Sequence, residues 1–164
     1  MKKFLLCFLL AAPWFVFGPQ LFAPQLFAQT ADRIERLLSQ EQVSYRDAAL
    51  LVLEASGYID SSGHIDPLGQ ASADEAFSFA VERGWLPKNA EANGNIRLNG
   101  LSLLVMQAFE IDGGFFYAFF KNPHYAYRAM VYRGIIQGRS DPQMSVSGTL
   151  LLYTVNKAMT MEQR

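Results

Sequence analysis

The stretch Tyr125–Met159, YAYRAMVYRGIIQGRSDPQMSVSGTLLLYTVNKAM, decides the fold, because the chain upstream repeats it. Its apolar residues recur at helical spacing as far as Gly134, pause over a short polar loop, and resume through a second helical segment. Moved back by fifty positions, Ala126, Tyr127, Met130, Val131, Arg133 and Gly134 fall on Ala76, Phe77, Ala80, Val81, Arg83 and Gly84. Ser72 and Glu75 have the spacing of a capping box. Asn122 followed by Pro123 is another favoured helix start. Helices over 72–83 and 122–133 are therefore expected to begin and stop alike.

The helices that follow are predicted over 98–110 and 146–159. An offset of 48 lays Leu103, Leu104 and Gly100 on Leu151, Leu152 and Gly148, which makes the preceding loop two residues shorter in the later copy. An offset of 53 lays Ile96, Leu103, Leu104, Val105 and Ala108 on Val43, Leu50, Leu51, Val52 and Ala55. Ahead of that, Ile34, Leu37 and Leu38 share one face of a short amphipathic helix over 31–40. Ser44 caps the next, with Asp47 reaching back, and that helix stops at Gly57. The Gly-, Asp-, Ser- and Pro-rich residues 58–70 read as a loop. The expected architecture is all-α: six helices in three helix-loop-helix units over about 31–57, 72–110 and 122–160. One such unit cannot bury its own apolar face, so Leu51, Leu104 and Leu152 are expected to meet in a common interior.

Residues 1–28 have the layout of a secretory signal peptide, with Lys2 and Lys3 before an apolar run from Phe4 to Phe17. Pro13 interrupts the run, and it is shorter than the roughly 20 residues of a spanning helix. Removal is the preferred reading and a retained anchor the lesser one. PQLFA is written twice, ending at Ala23 and at Ala28. Pro24 would obstruct cleavage after Ala23, so Ala28 is the expected site. Cys7 would leave with the signal, and the exported chain would carry no disulfide, thiol chemistry or cysteine-held metal. Taking two lysines from the formal net charge of −1 leaves −3, which gives no support to nucleic-acid binding or a polybasic membrane contact. The remaining 136 of 164 residues form a single domain, 29–164, with ample apolar material for a core.

The run from Tyr125-Ala126-Tyr127 to Gly134-Ile135-Ile136-Gln137-Gly138, followed by a polar loop and a capped helix, resembles the S-layer homology (SLH) repeat. The resemblance extends over 122–159 and 72–110, and in the first unit over Val43-Ser44-Tyr45-Arg46-Asp47 and the helix behind it. It implies a pseudo-threefold six-helix prism whose grooves hold an exported protein on peptidoglycan or a wall-linked polymer. Together with the signal peptide and the absence of cysteine, the chain also resembles envelope proteins of spirochaetes. It departs from the family at one place. Second helices there commonly open Ile-Thr-Arg-Ala-Glu, with the arginine on the polymer. The matching segments here are Val43–Asp47, Ile96–Gly100 and Met144–Gly148, and none has arginine third. Arg46 and Arg97 lie one position away.

Candidate ligand-binding residues are Arg46, Arg83, Trp85, Arg97, Arg133 and Arg139, which would line inter-repeat grooves and meet an anionic polymer or acidic partner. Three of them have a plainer account. Arg83 and Arg133 precede glycine stops, where cations suit the negative end of a helix. Trp85 could stack on a sugar or cap the core. Phe115, Phe116, Tyr117, Phe119 and Phe120 belong to the densest aromatic run and either fill space between units or form a protein interface. Asn89–Asn95 and Asp60–Asp66 space oxygen donors like calcium loops, but Gly100 and Ala71 stand where the distal glutamate belongs. His64 and His124 lack metal spacing, and no phosphate loop or nucleophile elbow occurs. No metal or cofactor is expected. The functional expectation is a non-catalytic envelope protein attached to peptidoglycan or a wall-linked polymer. The alternative is a structural periplasmic subunit making protein contacts, for example as a coat on a flagellar filament. An enzyme ranks third.

Overall fold

Helix starts follow the caps that the sequence supplies. The computed structural model describes residues 32–59, 72–137 and 140–162. The chain divides into Met1–Arg33 and Ile34–Arg164, and the fold below is that of the second unit. The signal segment, Arg139 and most of the loop over 58–70 lie outside the described residues. Among those described the chain is all-helical, with α1 (32–39), α2 (Tyr45–Ala55), α3 (Ala73–Glu82), α4 (Leu98–Ala108), α5 (Gly114–Phe119), α6 (Pro123–Tyr132) and α7 (Gly148–Glu162). Ser72 and Glu75 form the full reciprocal capping box of α3, and Asn122 caps α6 with Pro123 next to it. Ser44 caps α2, but the Asp47 carboxylate accepts from the Ser44 hydroxyl (2.7 Å).

Three extended residues ahead of α2, α4 and α7 tie these helices together. The Val43 N–H donates to the Val146 carbonyl (2.9 Å), Val146 N–H to Ile96 (3.1 Å), and Ile96 N–H to Val43 (2.9 Å), closing a ring. All three side chains are fully buried. Two residues further on, Tyr45, Leu98 and Gly148 donate to the carbonyls of Gly94, Met144 and Gln40, each at 3.0 Å. Burying these polar groups would be costly unless they paired, and here each completes another's requirement.

The ring fixes the register and corrects the sequence reading at one point. Val146, not Met144, stands where Ile96 and Val43 stand, so the last helix is displaced by 50 from α4 and the two loops are equal in length. In that register Ala48, Leu101 and Leu151 correspond and are fully buried, as do Val52, Val105 and Val155 one turn on. Of the trio expected in the interior only Leu104 is enclosed, while Leu51 and Leu152 are half-buried. The helices α2, α4 and α7 touch one another pairwise, α3 packs on α2, and α6 packs on α4. Arg46 with Asp74 at one end, and Tyr58 with Trp85 at the other, show that α2 and α3 run parallel. At the start of α7, a Cβ on Gly148 would lie 1.5 Å from the Leu37 carbonyl oxygen of α1. The two helices expected within one unit, α3 with α4 and α6 with α7, are therefore not the ones that pack most closely; α3 packs on α2 and α6 on α4, each across the expected unit boundary.

Candidate functional site

The aromatic run after α4 was expected to be filler or patch, and it folds as the additional helix α5. Its orientation is set by Gly113, where a Cβ would meet the Tyr117 ring at 2.4 Å, so only glycine lets that ring close over the loop. Tyr117 is thereby 4 % exposed, and its hydroxyl accepts from Gln107 Nε2 on α4. Burial pushes the Tyr117 phenol above its usual range, with the Gln107 bond partly opposing. Expected among the interface residues, Tyr117 belongs to the core.

With Tyr117 facing inward, the opposite side of α5 faces water. Positions 115, 116, 119 and 120 share that side, and Phe115, Phe116, Phe119 and Phe120 are 72, 62, 70 and 57 % exposed. The rings are contiguous. Phe115 meets Phe116 edge-on at 5.8 Å and Phe119 at 4.8 Å, while Phe116 and Phe120 each stack on Tyr125 of α6 at 5.9 Å. A groove of 540 Å³ runs beside them, lined by Phe115, Phe116, Tyr125, Tyr132, Arg128 and Arg133. Tyr132 is almost entirely in water. This is a ledge of apolar rings with a cationic wall.

The arginines proposed from the sequence do not converge. Arg46 pairs with Asp74 (3.5 Å), and Arg97 donates to Gln143 Oε1 (2.7 Å). Arg83 lies over the rings of Phe79, Trp85 and Tyr58, at 4.5, 5.5 and 5.6 Å from their centroids. Trp85 is buried, with Tyr58 and Phe79 edge-on to it, which makes it chiefly a lid on the core, though it also lines the cleft that Arg133 reaches. Arg133 reaches an open cleft, of 760 Å³, together with Trp85, Tyr58, Glu110, Asp112 and Lys121. Charges of both signs line that cleft.

The loops before α4 and α7 have a structural task. Carbonyls of Ala92 and Gly94 accept from Arg46 and Tyr45, and those of Pro142 and Met144 accept from Asn99 and Leu98. The first-turn amides that could otherwise hold an anion are occupied by backbone.

Glu110 stands with Asp112 at a helix end in the sequence, but its role there was not legible. It follows α4 with φ 49, the left-handed region occupied after α2, α3 and α6 by Gly57, Gly84 and Gly134. Its carboxylate accepts from the Tyr58 hydroxyl (3.1 Å) and so ties the ends of α2 and α4. Burial, and then this bond, push the Tyr58 phenol upward, with Arg83 partly opposing. Arg128 was also missed. The available signal was charge: between Asp112 and Asp141 the sequence has no carboxylate. Among the described residues no three His, Cys, Asp or Glu side chains come together as a metal site would require. Comparison with family models, curated proteins and solved structures finds no match.

Proposed function

We propose that this chain is an exported, non-catalytic envelope domain that docks a protein partner on the ledge of α5. The observation that carries this reading is the set of four contiguous phenylalanines, each more than half exposed. Monomeric proteins rarely leave such a patch to water. Covering about two-thirds of four rings is worth roughly 4–8 kcal/mol before the costs of association. The frame behind the ledge is proposed to be a pseudo-threefold prism of three SLH-like units, with α5 inserted between the second and third. The ring through Val43, Ile96 and Val146, and the equal spacing of Ser72/Asn122 and Gly84/Gly134, support that arrangement. The partner is then a subunit of a periplasmic assembly. A wall polymer suits the ledge less well, because the arginines are paired or dispersed and the helix starts are occupied.

A photo-crosslinking residue at Phe119, with one at exposed Val81 as control, tests this in the cells that make the protein. The reading expects a discrete protein adduct from position 119 that F116S/F119S at unchanged thermal stability suppresses. Equal labelling from both positions would count against it. Pelleting of the processed chain with purified sacculi, weakened by R83A/R133A, would put polymer binding in its place.

A further inference from the structure

Resting on that docking reading, we infer that the partner presents an acidic amphipathic helix, its apolar stripe on the Phe ledge and its carboxylates on Arg128 and Arg133. Charge carries the first step. Arg128 and Arg133 wall the same groove as Phe115 and Phe116, no carboxylate lines it, and neither guanidinium has an ion-pair partner among the described residues. Arg46 and Arg83, by contrast, are already engaged by Asp74 and by aromatic rings. Two free cations beside a desolvated apolar surface favour a partner with negative charges flanking its apolar side chains, and strongly disfavour a basic one.

The form of the partner follows from what the surface lacks. The described residues contain no strand, so no sheet edge can template an added one. A groove between two helices, with rings at successive turns, is instead the setting in which a helix inserts side chains spaced three and four apart. A second copy of this chain fits poorly, since a two-fold interface pairs this face with itself and no carboxylate lines the groove to meet the mate's Arg128 and Arg133. A planar anionic surface fits less well too. It would meet Glu110 and Asp112 on the cleft side of Gly113 along with the arginines, whereas a helix in the groove meets the cations alone.

The test uses two synthetic peptides of identical Leu/Phe stripe at helical spacing, one flanked by Glu and the other by Lys, and vesicles containing phosphatidylglycerol. Fluorescence anisotropy with the purified chain should show the Glu peptide binding at least about tenfold more tightly at low salt, the gap closing at high salt. The R128E variant should narrow the preference, R128E/R133E should reverse it, and F116S/F119S should weaken both peptides. Failure of the Glu peptide to bind, or equal affinity for the two, overturns the acidic helix. Equal binding that still needs Phe116 and Phe119 leaves protein docking in place, and an absent Phe119 crosslink removes that as well. Pelleting with the vesicles without selectivity between peptides assigns the ledge to lipid and overturns the proposal.

Discussion

Substituting Gly148 by alanine should detach α1 from the domain. The Cβ would sit 1.5 Å from the Leu37 carbonyl oxygen and 2.4 Å from its carbon, both backbone atoms that no rotamer change can move aside. Ordinary contact needs roughly 2 Å more, so α1 must shift by most of that distance. The shift breaks the Gly148-to-Gln40 hydrogen bond (3.0 Å), a loss of about 1 kcal/mol. It also opens the site of Leu37, now 5 % exposed, at about 2 kcal/mol. Alanine's better helix propensity returns at most about 0.5 kcal/mol at a first helical position. The net loss is about 2.5 kcal/mol, or a fall in Tm of about 10 °C for a domain of this size. Urea denaturation gives the energy, and amide hydrogen exchange over 34–40 shows whether α1 is what comes loose. Gly84→Ala is the control. Nothing lies within 4 Å of its Cβ, and only its φ of +69° should cost, about 1 kcal/mol. If G148A is no less stable than G84A and leaves 34–40 protected, the close approach of α1 and α7 is wrong.

Glu110→Gly should be at least as stable as the parent, because relief of the left-handed backbone, about 1 kcal/mol, offsets the exposed bond to Tyr58. Glu110→Ala keeps the strain, loses the bond and should melt lower; the reverse order would show that the carboxylate has another task. Arg83→Ala removes a cation from three rings and should lower stability by about 0.5–1 kcal/mol without affecting the Phe119 crosslink, read by melting and by crosslinking yield. Folding raises the Tyr45 and Tyr117 phenols above 10.0, chiefly by burial. Above that pH the unfolded chain releases these protons first, so the stabilisation present at neutral pH is lost as pH rises past 10. Urea midpoints across that range should fall, and Y117F should fall less steeply; identical slopes would remove Tyr117 as a contributor.

Local chemistry made the helix ends legible. Ser72 with Glu75 and Asn122 with Pro123 are decided within four residues, and the glycines at 57, 84 and 134 announce stops that side-chain strain enforces. The register of α7 was not legible. Leu150, Leu151 and Leu152 stand in a row, so a Leu-Leu pair aligns equally well at two offsets, and Gly148 falls on Gly100 only by accident. In the fold these glycines serve different neighbours, the α1 backbone in one case and the Tyr45 ring in the other. What chose the register was a ring of main-chain bonds, which side-chain identity does not record. Exposure of the phenylalanines was equally hidden. An aromatic helix can turn either face inward, and the choice here rests on Gly113 making room for Tyr117.

The two ends of α4 carry separate duties, and this bears on how such a frame could change its ligand. At the start of α4 the main chain of Ile96 lies in the closing ring, and the amides of Leu98 and Asn99 are taken by Met144 and Pro142, so a side-chain change there acts on the fold. At its end, Gln107 holds Tyr117, and beyond that ring no bond of the closing set involves residues 114–120. Serine at Phe116 and Phe119 removes apolar surface that already faces water, so the fold has little to lose and only the docked state should suffer. If those substitutions instead unfold the chain, the rings around Tyr125 belong to the core, and the ledge is not a separable surface.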